Sequence, residues 1–120
     1  FMDNRPITVI CDIDGTLVKH QAPIENTDMN KDLEILPGTV EKLLEWDSLG
    51  YNIILITGRR ESMRKSTEMQ LSRIGIIYDK LIMGIGGGKR YLINDRKPSG
   101  EDYAFAINID RNEGINNIKI

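Results

Sequence analysis

The sequence lacks three things: a second cysteine, a long apolar run and a dominant charge sign. Cys11 is the single cysteine, so no internal disulfide can form, which suits a reducing cytoplasm. No apolar run approaches the ~20 residues that a helix needs to cross a bilayer. Sixteen basic and 18 acidic residues give a formal net charge of −2, so no broad basic field exists to drive nonspecific nucleic-acid binding. Internal repeats and low-complexity linkers are also missing. At 40% hydrophobic and 28% charged, the composition excludes a disordered chain and a collagen-like one. The 120 residues make one domain, of which roughly two-thirds of the unfolded surface can be buried. No signal peptide is visible, and Met2 reads as the native start with Phe1 as an extra residue.

What the sequence does contain is a series of short, β-branched apolar runs: 7–11, 52–57, 80–83, 91–94 and 104–108. They are mostly continuous rather than alternating, as expected of strands buried on both faces of a parallel sheet. Two helical segments separate the first three. One spans Gly38 to Leu49 with Val40, Leu43 and Leu44 on one face, and Gly50 follows as its stop. The other spans Glu61 to Ile74, with Met63, Thr67, Leu71 and Ile74 on one stripe and Gly75 behind it. Alternating strands and helices with short turns argue an α/β fold. Residues 108–120 read as a last short helix or a tail.

Polar clusters stand at the ends of three runs. Asp12-Ile13-Asp14-Gly15-Thr16 follows the first, Thr57-Gly58-Arg59-Arg60 the second and Asn94-Asp95 the fourth. Ligands of open α/β sheets bind outside the carboxyl ends of strands, so the three clusters are expected to share one crevice. An Asp–Gly pair is also a common turn, but three such clusters at three strand ends outweigh that plainer reading.

With Asp12-x-Asp14-Gly15-Thr16-Leu17 after a hydrophobic strand, then Thr57, then Asp95, the sequence resembles the haloacid dehalogenase (HAD) superfamily of phosphohydrolases. The resemblance covers about residues 7–109. It implies a three-layer Rossmann-like parallel sheet of about five strands in the order 5-4-1-2-3. It also implies a chemistry. Asp12 would be the nucleophile that forms an aspartyl-phosphate, and Asp14 the acid that protonates the leaving oxygen and then the base that activates water. Asp12, the Asp14 backbone carbonyl and Asp95 would hold Mg²⁺. Thr57 and the Gly58 N–H would hold phosphoryl oxygens. Read from their place after Thr57, Arg59 and Arg60 are candidates to grip the anionic part of the substrate, with at least one of them a solvated residue at the helix start.

The family also uses a lysine to neutralise charge at the nucleophile. Only the seven residues 84–90 separate the third run from the fourth, too few for a crossover helix but just enough to span extended. Lys89 has the upstream position but precedes the fourth run, at the end expected to be far from Asp12. Lys97 follows Asp95 and is favoured, with Lys89 as runner-up. The glycines at 84–88 lack the Gly-Lys-Ser/Thr ending of a nucleotide-binding P-loop.

Neither usual insertion point has room for a cap domain. Residues 19–36 suffice for a flap or loop, and 84–90 for less. By resemblance the chain is a capless member whose open crevice a macromolecular substrate or a second subunit would close. The expected substrate is a small phosphomonoester such as a sugar phosphate, with homo-oligomerisation and no membrane; the acidic balance argues against a polynucleotide. Two alternatives stay open: a phosphatase of a macromolecular substrate, and a noncatalytic HAD-fold binding module. A response-regulator receiver domain is disfavoured, because its phosphorylated aspartate would end a mid-chain strand, where this chain has Thr57 and Gly84.

Overall fold

The computed structural model describes residues 3–21 and 31–120. Half of the 19–36 segment read as a flap, residues 22–30, therefore lies outside the described residues. The first three apolar runs form strands β1 (Thr8–Asp12), β2 (Asn52–Ile56) and β3 (Lys80–Ile82). They make a parallel sheet in the order β1-β2-β3, with Asp12 opposite Ile56 and Ile56 opposite Ile82. Helix α1 (Thr39–Ser48) crosses from β1 to β2. Helix α2 (Arg64–Arg73), entered through a 3₁₀ turn at Glu61–Met63, crosses from β2 to β3.

Both helix stops fall where glycine predicts them. Gly50 and Gly75 take positive φ, and the N–H groups of Tyr51 and Ile76 bond back to the carbonyls of Trp46 and Leu71, each at 3.0 Å. Gly38, at φ 87°, opens α1; a Cβ there would stand 2.5 Å from the Asn116 Cα, so only glycine fits. The C-terminal segment forms turns rather than a helix, and it buries Ile115 in the core beside Pro37, whose carbonyl accepts the Ile115 N–H.

One core cluster joins Val9, Cys11, Ile53, Leu55 and Leu81 to Leu43 and Trp46 of α1 and Leu71 of α2. Both helices thus cover the same sheet face. Two successive right-handed crossovers advancing in one direction require this. The opposite face carries Ile10 and Ile82, both exposed, and the half-buried Ile54 and Ile56. The expectation of burial on both faces fails for this reason.

The fourth and fifth runs are not strands. Tyr91 is 86% exposed, Ile93 93% and Phe105 76%, and neither run joins a ladder. Between them the Lys97 N–H bonds to the Glu101 carbonyl and the Gly100 N–H to the Lys97 carbonyl, so the chain turns back there. The molecule is elongated, 49 × 28 × 25 Å. The α/β class stands; five strands in the order 5-4-1-2-3 do not form among the described residues, which hold three in the order 1-2-3.

Candidate active site

Strand β1 ends at Asp12, and the next residue, Ile13, is fully buried. The Ile13 carbonyl accepts the N–H groups of Thr16, Leu17 and Val18 at 3.1, 2.9 and 3.2 Å, and the Gly15 N–H donates to the Val18 carbonyl at 2.7 Å. This tight loop needs Gly15 at φ 86°. It holds Asp12 and Asp14 at the carboxyl edge of the sheet. The Gly15 carbonyl accepts the Asn112 N–H at 2.8 Å, tying the loop to the C-terminal segment.

Thr57 follows β2 one residue past the position paired with Asp12. It is buried, its N–H donates to the Ile82 carbonyl, and its Oγ1 accepts the Arg59 N–H at 3.1 Å. Asp12, Asp14, Thr57 and Gly58 therefore gather at one edge of two adjacent strands. The glycine loop crosses over them: the Gly84 N–H bonds to the Arg59 carbonyl and the Ile85 N–H to that of Thr57. The Gly86 carbonyl lies where a side chain on Gly58 would begin. The loop delivers Arg90, whose Nη1 stands 3.3 Å from Asp12 Oδ1, both side chains being partly exposed.

Arg59 does not face a substrate. Its side chain is 3% exposed and grips Asp14 bidentately, Nε to Oδ2 at 3.0 Å and Nη2 to Oδ1 at 2.8 Å. Its Nη1 donates to Thr67 Oγ1 at 3.2 Å and Gln70 Oε1 at 2.8 Å, both on α2. The sequence signal for this was present but passed over. Thr67 sits in the core-facing stripe and Gln70 is one turn further on, buried polar groups that demand a partner.

Asp95 and Lys97 pair with each other at 2.9 Å, away from this edge. The Lys97 ammonium stands 5.0 Å from the Tyr103 ring centroid, and the Tyr103 hydroxyl donates to Asp3 Oδ2, in the segment that leads into β1. Lys97 holds the Asp95 carboxyl below its ordinary range through that bond. The pair misses the crevice because residues 91–94 form no strand to end there. Lys89 is exposed. The cation beside Asp12 is Arg90, which the sequence reading missed by seeking only lysine.

Two of the three expected Mg²⁺ donors fit. Asp12 presents a carboxylate, and the Asp14 backbone carbonyl accepts none of the backbone hydrogen bonds of the loop. Asp95 does not join them, and no group of three acidic, histidine or cysteine side chains suited to a metal occurs among the described residues. One carboxylate and one carbonyl, completed by water and phosphate oxygens, remain an ordinary Mg²⁺ environment.

Known proteins resemble the segment that carries these residues. A family model described as "PITM 1-3, LNS2 domain" matches residues 9–87, which takes in β1 from its second residue, β2, β3, both helices, Asp12, Asp14 and Thr57. A chain in the Pnkp1/Rnl/Hen1 complex is 28% identical, with a TM-score of 0.57 over 74% of this chain and 32% of that one. A chain of the Pnkp1/Rnl/Hen1 RNA repair complex is 32% identical, with a TM-score of 0.55 over 65% of this chain and 25% of that one. This chain thus spans a third or less of either. A structural-genomics target from Vibrio cholerae shares the fold at 23% identity, with a TM-score of 0.52 over 78% of this chain and 85% of that one. No curated protein matches. With the Asp12–Asp14 loop, Thr57 and the parallel sheet inside the matched segment, the chain belongs to the LNS2 domain family, a HAD-like phosphatase family.

Proposed function

We propose that this domain is a Mg²⁺-dependent phosphohydrolase that cleaves phosphomonoesters through an aspartyl-phosphate on Asp12. The observation that carries the proposal is the gathering of Asp12, Asp14 and Thr57 on adjacent strand ends, with Arg90 over Asp12. Asp12 is the only one of the two loop carboxylates without a bidentate partner, so it is the one free to attack phosphorus. Arg90 offsets the repulsion between that carboxylate and an anionic phosphate. Asp14 passes a proton to the departing oxygen and takes one from the water that follows. The Thr57 hydroxyl donates to a phosphoryl oxygen. Mg²⁺, held by Asp12 and the Asp14 carbonyl, supplies further charge neutralisation when bound. Asp95 and Lys97 have no part in this scheme.

The substrate class we favour is a small phosphomonoester, such as a sugar phosphate, in a crevice without a cap domain. A second copy of the chain is the proposed cover; exposed Ile10, Ile82, Tyr91, Leu92, Ile93 and Phe105 offer apolar surface for it. Hydrolysis of p-nitrophenyl phosphate with and without Mg²⁺, with Asp12→Asn as control, tests the activity. A panel of sugar phosphates beside a 3′-phosphorylated oligonucleotide tests the substrate class. Turnover of the oligonucleotide alone would favour the macromolecular alternative, and no turnover at all the noncatalytic one.

A further inference from the structure

Asp14 must place one proton accurately, yet it sits in the glycine-containing loop that follows β1 and in no strand. Four bonds from one buried guanidinium fix it. Arg59 donates to both Asp14 oxygens and, through Nη1, to Thr67 and Gln70 on α2. The Arg59 backbone is held as well, its N–H by Thr57 Oγ1 and its carbonyl by the Gly84 N–H. A carboxylate oxygen has two lone pairs, and the fork takes one from each. The remaining pair on each oxygen keeps a defined direction, whereas a free carboxylate would sample several rotamers.

We infer that Arg59 is a positioning residue: clamped by Thr67 and Gln70, it aims the Asp14 carboxyl at the leaving-group oxygen. The inference rests on the phosphohydrolase reading. In the step concerned, the bond from Asp12 oxygen to phosphorus forms, the bond from phosphorus to the leaving oxygen breaks, and the Asp14 proton moves to that oxygen. Arg59 touches neither substrate nor reacting atoms.

A misaimed proton donor matters only when the leaving group needs a proton. Phenoxide needs one far more than p-nitrophenoxide, and the two phosphates are nearly the same size. The test compares kcat/KM for phenyl phosphate and p-nitrophenyl phosphate, which reports the first chemical step and not hydrolysis of the shared intermediate. General acid catalysis is worth about 10²–10⁴-fold. Arg59→Gln should therefore lose at least about tenfold more on phenyl phosphate than on p-nitrophenyl phosphate. Arg59→Lys keeps the charge but not the fork and should show the same split. Thr67→Val leaves Arg59 and Asp14 in place and should show it more weakly, so the inference stays testable if Arg59→Gln fails to fold. Equal losses on both substrates in all folded variants would overturn the inference while leaving the phosphatase reading intact. A wild-type protein inert towards both substrates with Mg²⁺ would overturn the two together.

Discussion

Gly58→Ala should destabilise the domain while leaving most of its activity. An added Cβ would lie 2.8 Å from the Gly86 carbonyl oxygen and 3.0 Å from its carbon, both main-chain atoms with no rotamer to yield. Gly58 does not have a positive φ, so the backbone itself accepts alanine and the whole penalty is this contact. The glycine loop must retreat by roughly half an ångström, an overpacking cost of about 1–3 kcal/mol, offset by about 0.4–1 kcal/mol from a stiffer unfolded chain. The retreat carries Arg90 with it. At an effective dielectric constant of ~20, lengthening its 3.3 Å contact with Asp12 by that amount weakens the attraction by about 0.7 kcal/mol, about threefold in rate at most. Both side chains are more than a third exposed, so solvent reduces even that. Thermal unfolding and p-nitrophenyl phosphate turnover read the two effects. Gly87→Ala, with open space around the new Cβ, is the control and should be neutral or slightly stabilising. An unchanged Tm for Gly58→Ala, or an equal fall for Gly87→Ala, would refute the packing of the loop on Gly58.

Arg90→Met should lower turnover by about tenfold or more with little change in Tm, since a partly exposed pair contributes at most about 1 kcal/mol to stability. Lys97→Met should leave turnover unchanged, and a loss equal to that of Arg90→Met would return Lys97 to the site. Ile115→Ala should cost about 2–5 kcal/mol by denaturant unfolding, because Ile115 is buried in the core beside Pro37. Burial pushes the Cys11 thiol up to about 12, so the fold favours the neutral thiol. That contribution is complete below the thiol's ordinary value of 9.0 and is lost as pH rises towards about 12. Cys11→Ala should flatten the alkaline fall in stability over that range, and native Cys11 should resist alkylation at pH 8 until the protein unfolds.

The first half of the fold was legible because local signals and long-range partners agree there. Runs 7–11, 52–57 and 80–83 are each followed by a connection of the right length, and Gly50 and Gly75 mark the helix ends. Runs 91–94 and 104–108 carry the same apolar signature, but a strand needs a neighbour's edge as well as a propensity, and no edge is supplied. Asp95 was misplaced for the same reason, since its site position depended on a strand ending there. Arg59 shows a different limit. A cation two residues beyond Thr57 reads as a substrate contact until Thr67 and Gln70 are seen to draw it inward. The side chain was visible in the sequence, and its direction was set by residues on another element.

The most direct test of the central claim is to trap the phosphoryl group on the protein. Rapid acid quench after mixing the domain and Mg²⁺ with a ³²P-labelled phosphomonoester, followed by peptide mapping, should place a hydroxylamine-labile label on the peptide containing Asp12, and none on Asp12→Asn. Turnover without a labelled peptide, or a label on any other residue, would contradict the account.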